Sequence, residues 1–101
     1  MRVYIAGPIT DMPDQNRDAF LQEEYRQTQQ GHAVMNPARL PVGFEESHYM
    51  DICLAMVRSC ERIVMLPGWE NSAGAIVESL LAGKLGLEVV PSELFTEKGH
   101  D

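Results

Sequence analysis

Leu66-Pro67-Gly68-Trp69-Glu70-Asn71-Ser72-Ala73-Gly74-Ala75-Ile76-Val77-Glu78 is the stretch that decides how this chain folds. An apolar run over 62–66 leads into it and reads as a buried strand. A Pro-Gly turn follows, and Asn71 or Ser72 then offers a side chain suited to capping a helix N-terminus. Small residues at Ala73, Gly74 and Ala75 leave the first-turn N–H groups open, and a helix end of this kind holds an anion such as a phosphate. Glu78 lies six residues beyond Ser72, one to two turns deeper. A phosphate seat backed by a carboxylate suits chemistry on a small phosphorylated substrate. The motif alone does not separate that reading from an ordinary capped helix carrying a surface glutamate.

Working outward, strand and helix signals alternate along the whole chain. Residues 2–6 read as a strand ending at Gly7-Pro8, followed by a turn-rich loop over 9–15. Asn16 is placed to cap a helix over 17–30, and Gly31 stops it as a C′ residue. A second strand covers 32–35 and closes at Asn36-Pro37. Residues 39–47, with two further turn formers, read as an exposed loop. Next, Met50, Cys53, Leu54 and Val57 fall at the spacing of a core-facing helical stripe. After the strand at 62 and the helix from 72 to about 84, Gly86 is a stop and 87–90 a last strand. The alternation predicts one α/β domain over 1–101, a small doubly wound, flavodoxin- or Rossmann-like sheet. It should hold four to five mostly parallel strands with helices on both faces.

In such a sheet the ligand site lies beyond the carboxyl ends of the strands, where strand order reverses. With the first and third strands central, Gly7-Pro8-Ile9-Thr10 and Pro67-Gly68-Trp69 converge on one crevice. Tyr4, near the end of the first strand, can then reach a carboxylate at Glu78, or simply serve the core or its rim.

Composition limits the partners. The formal net charge of −7 argues against nucleic-acid polymers and anionic membranes. No apolar run approaches the roughly 20 residues that span a bilayer. The amino terminus lacks a basic region followed by a long apolar one, so a cytoplasmic protein is expected. At 101 residues and 45% hydrophobic the core is modest, which favours a homodimer or higher homo-oligomer. Cys53 and Cys60 read as lying on one helix, which would set them about 10 Å apart, too far for a disulfide. Neither has a histidine at metal-ligand spacing, so no metal and no cofactor is expected.

The segment Tyr4-Ile5-Ala6-Gly7-Pro8-Ile9-Thr10, with Asn16-Arg17 and Ala19-Phe20 after it and the Leu66 to Glu78 stretch, resembles the domain-of-unknown-function 4406 family. The resemblance covers nearly the whole chain and implies the nucleoside 2-deoxyribosyltransferase superfamily. Within it, the pattern Ser72, Gly74, Glu78 is similar to that of the 2′-deoxynucleoside 5′-monophosphate N-glycosidases. The resemblance implies that Ser72, the Gly74 region and the backbone after Gly7 hold a 5′-phosphate. It implies that Glu78 attacks the anomeric carbon and that Tyr4 orients Glu78.

Cleavage of an N-glycosidic bond passes through an oxocarbenium-like transition state, which a carboxylate beneath the sugar stabilises or traps. Departure of the base needs a second acid. Asp51 is one candidate, but counting back from Cys60-Glu61 places the family's aspartate nearer Cys53. Residues two apart on a helix point about 200° apart, so both cannot face one crevice. Asp11 stands where relatives of the resembled family often carry glycine, and aspartate tolerates a left-handed conformation better than most residues. Arg17 is either a phosphate contact or a helix-surface residue. Trp69 stacks on a base or sugar, or serves as a lid or subunit contact. The expected substrate-binding set is Gly7, Pro8, Ile9, Arg17, Trp69, Asn71, Ser72 and Gly74; the catalytic set is Glu78, Tyr4 and Asp51. The expected function is N-glycosidic cleavage or deoxyribosyl transfer on a 2′-deoxynucleotide or nucleoside. The alternative is a nucleotide-binding module without turnover.

Overall fold

Four short apolar segments meet edge to edge in one sheet. The computed structural model describes residues 1–94; the last residues of the expected domain lie outside that span. The strands are β1 (Arg2–Ala6), β2 (Ala33–Met35), β3 (Arg62–Met65) and β4 (Glu88–Pro91). They lie in the order β2-β1-β3-β4, and every neighbouring pair is parallel. The connections are α1 (Arg17–Gln29), α2 (Glu46–Arg58) and α3 (Ala73–Leu85). This is the expected α/β architecture, with four strands.

Alternation along β1 sorts the core into two layers. Ile5 packs with Ala19 and Phe20 of α1 and with Leu66. Tyr4 and Ala6 face the other way, against Cys53 and Val57 of α2, Ala75 and Ala82 of α3, and Ile63 and Met65 of β3. A sheet covered on both faces has little use for polar side chains in its central strands, which explains the apolar runs. Each large side chain buried here contributes roughly 1.5–3 kcal/mol of transfer free energy.

The chain leaves β1 towards β2 and leaves β3 towards β4, so the carboxyl ends of β1 and β3 flank the topological switch point. Gly7 permits their close approach: a Cβ there would stand 2.8 Å from Cβ of Leu66. Gly68, with φ of 87°, supplies the left-handed residue that turns β3 towards α3.

Helix ends follow the sequence in part. Ser72 caps α3, its hydroxyl accepting from the Ala75 N–H at 3.2 Å. Asn16 precedes α1 but does not cap it. It sits in the left-handed region, and its side-chain amide donates to the Pro8 carbonyl at 3.0 Å instead. Helix α2 begins inside the stretch read as loop, closed by a reciprocal box. The Glu45 side chain accepts from the His48 N–H, and His48 Nδ1 accepts from the Glu45 N–H at 3.1 Å. Outward, α3 leaves Val77, Leu80 and Leu85 exposed. Among the described residues no helix is long and apolar enough to cross a membrane.

Candidate active site at the switch point

Tyr4 is fully buried on β1, and its hydroxyl donates to Glu78 Oε2 at 2.9 Å. Glu78 is only 7% exposed, on the second turn of α3. Burial pushes its carboxyl up to about 7, and the hydrogen bond from Tyr4 pulls partly the other way. Burial, then the neighbouring Glu78 charge, raises Tyr4 well above the usual phenol range. Tyr4 is thus a fixed donor, while Glu78 exchanges its proton near neutrality. Only Oε2 of the carboxylate is engaged by a described protein donor.

Glu78, with Tyr4 buried behind it, stands at one side of a cleft of about 460 Å³, the size of a small-ligand site. Gly7, Ile9, Arg17, Ser72, Gly74 and Glu78, all expected at the site, line it together. Because Ser72 satisfies the Ala75 N–H, the N–H groups of Ala73 and Gly74 remain without intrahelical acceptors at the cleft end of α3. Arg17 reaches across the wall and donates to the Ala38 carbonyl at 2.8 Å. In the β1–α1 connection Asp11 adopts φ of 66°, the left-handed geometry anticipated for it. Asp14, Gln15 and Asn16 follow at 50°, 57° and 60°, so strained backbone is concentrated beside the cleft.

Four expected residues stand elsewhere. Asp51 is exposed and does not line the cleft; Cys53 does. The reason is helical phase: Cys53 and Val57 turn to the sheet, and Asp51 lies about 200° from Cys53 around α2. Burial raises the Cys53 thiol, partly offset by its hydrogen bond with Tyr4, so the thiol stays protonated. Trp69 packs, partly buried, against the core layer under α2 and α3. Asn71 is exposed in a short turn, Trp69–Asn71, before the helix. Pro8 is buried away from the cleft, beneath Gly68.

The remaining wall is the β2–α2 connection, a stretch whose sequence alone reads as an exposed loop. Its base is tied down by Asn36, whose Oδ1 accepts from the Ala38 N–H at 2.9 Å and whose amide donates to Glu24 at 2.7 Å. Arg39 forks onto the same carboxylate at 2.9 and 3.0 Å and holds Glu24 below the usual carboxylate range. At the far end the Tyr49 hydroxyl donates to the Pro41 carbonyl at 2.6 Å and accepts from the Phe44 N–H at 3.3 Å. Thr10, Gln15, Met50 and Glu46 also line the cleft. The available signal was Val42 and Phe44 around Gly43, apolar residues with no reason to stand in a purely solvated loop.

A parallel α/β protein with a buried, tyrosine-held carboxylate at its switch point is the class that this fold and site define. The chain belongs to the family described as "Domain of unknown function (DUF4406)", whose model matches residues 1–91. That span takes in all four strands and the whole cleft lining. No curated protein matches the chain.

Proposed function

We propose that this protein acts on the N-glycosidic bond of a 2′-deoxynucleoside 5′-monophosphate, as a member of the nucleoside 2-deoxyribosyltransferase superfamily. The observation that supports this most is the Tyr4–Glu78 pair, a buried carboxylate fixed by one donor and open to a nucleotide-sized cleft. Glu78 in its ionised form meets the anomeric carbon as the bond to the base breaks. The carboxylate either stabilises the oxocarbenium or forms a glycosyl ester, which water or a second base then resolves. The electron pair of the broken bond leaves with the base, which takes up a proton from solvent. Tyr4 keeps its own proton throughout and holds the carboxylate in line. The phosphate rests against the free N–H groups of α3, the Ser72 region and the turn after Gly7, with Arg17 as the nearby cation.

A second reading, a module that binds or sequesters the nucleotide without turnover, draws on one observation. The α2 residue beside Tyr4 is the thiol Cys53, and Asp51 is in solvent, so base departure lacks the expected carboxylic acid. We also propose a cytoplasmic homodimer, in which the outer face of α3 meets a second copy.

Incubation with deoxynucleoside and ribonucleoside monophosphates, read as free base by chromatography, separates the readings. Base release from a deoxynucleotide that falls by several orders of magnitude in Glu78→Gln, with binding retained, is the expected result. Binding without release over long incubation supports the module. Release unaffected by Glu78→Gln means that another carboxylate does the work.

A further inference from the structure

The wall built by the β2–α2 connection differs chemically from the rest of the cleft. Residues 40–44 are Leu40, Pro41, Val42, Gly43 and Phe44, all on the cleft and none with a polar side chain. Val42 is 81% and Phe44 52% exposed, a cost that packing within the chain does not offset. The segment is nevertheless held at both ends, by the Arg39–Glu24 fork and by the Tyr49 hydroxyl. His48 and Tyr49 meet Phe44 near perpendicular, at 86° and 74°, so neither ring stacks flat upon it. Much of the entropy cost of ordering this surface is therefore met before any ligand arrives.

The other walls are of the opposite character, with backbone N–H groups at Gly74 and the guanidinium of Arg17. Glu46, beside the apolar segment, repels an anion from that side. A ligand with one anionic end and one flat, weakly polar end has a single favourable orientation in such a cleft.

We infer that residues 40–44, with Phe44 as the platform, form the subsite for the heteroaromatic base of the nucleotide whose sugar meets Glu78. The inference rests on the nucleotide reading of the cleft and adds where the base lies and what recognises it. Stacking on an exposed, pre-positioned ring tolerates any base, so discrimination among bases is weak and discrimination against ligands without a base is strong.

The test is titration calorimetry in the Glu78→Gln background, which stops turnover, with 2′-deoxyadenosine 5′-monophosphate and with 2-deoxyribose 5-phosphate. The nucleotide should bind more tightly than the sugar phosphate. Phe44→Ala should weaken the nucleotide by about 5- to 100-fold and leave the sugar phosphate within two-fold. Phe44→Trp should restore the nucleotide. Equal losses for both ligands, or no loss for either, overturn the subsite. Equal affinity of the two ligands for the Phe44 parent overturns the subsite and leaves the proposed function standing. Failure of both to bind that parent overturns the nucleotide reading itself, and the subsite with it.

Discussion

Glu78 is costly to keep ionised where it sits. Its carboxyl is raised to about 7 from an ordinary 4.5, so the folded state holds a proton that the unfolded chain releases between those values. Stability from this group is complete below about 4.5 and declines as pH rises through about 7. The full difference is at most about 3 kcal/mol. Glu78→Gln keeps an oxygen for Tyr4 and carries no charge, so it should stabilise the protein by about 1–3 kcal/mol at pH 8 and by little at pH 5. Urea unfolding at the two pH values reads this directly; an equal effect at both would show that burial is not the cause. On the enzyme reading the same ionisation sets the acidic limb of kcat/KM near pH 7. Tyr4→Phe removes the bond that lowers the carboxyl, so the limb should move to higher pH. A limb near pH 4.5 would contradict the burial argument.

At the scale of elements, α3 has two duties at one end. Ser72 caps the helix, and the same turn presents the N–H groups proposed to hold a phosphate. Ser72→Ala should cost about 1 kcal/mol in unfolding experiments. It should also weaken a deoxynucleoside monophosphate by roughly 10- to 150-fold while leaving the nucleoside nearly unchanged. Identical affinities of wild type for the two ligands in calorimetry would remove the phosphate seat. This helix start was legible because Ser72 precedes three small residues and uses only local bonds. The start of α2 was not, since Glu45 and His48 make an unusual cap. Nor was the wall over 40–44 legible. Its shape rests on Arg39 reaching Glu24 and Asn36 reaching the Phe20 carbonyl, across turns of sequence that no periodicity links. Asn16 misled for a similar reason: the Pro8 carbonyl, brought close by the strained loop, takes the amide that would have capped α1.

For the whole molecule, the sheet order and both core layers follow from the alternation of apolar strands with amphipathic segments. The pairing of Tyr4 with Glu78 follows once β1 and β3 are neighbours. Helical phase turns Cys53 to the cleft and leaves Asp51 in solvent, so the two candidates stand on opposite sides of α2. Assembly is the next question at this scale. Leu80 is 67% exposed between Val77 and Leu85 on a helix with no exposed charge before Lys84. Such a face can meet its own copy without the repulsion that a chain of net charge −7 would otherwise impose. Sedimentation at micromolar concentration should show a species of about twice 11.3 kDa, and Leu80→Glu should return it to the monomer. A monomer in the wild type would end the proposal.

The parallel order also governs when the cleft can exist during synthesis. Tyr4 emerges early, yet it is flanked in the sheet by β2 and β3 and bonded to a residue on α3. No hairpin allows the central strand to close locally, so it must wait for partners made much later. A nascent chain that has passed β2 but not α3 holds its tyrosine against no carboxylate and has no ligand site. On the proposed function, a ligand can therefore stabilise only a chain long enough to bring α3 against Tyr4, and not the earlier nascent chain.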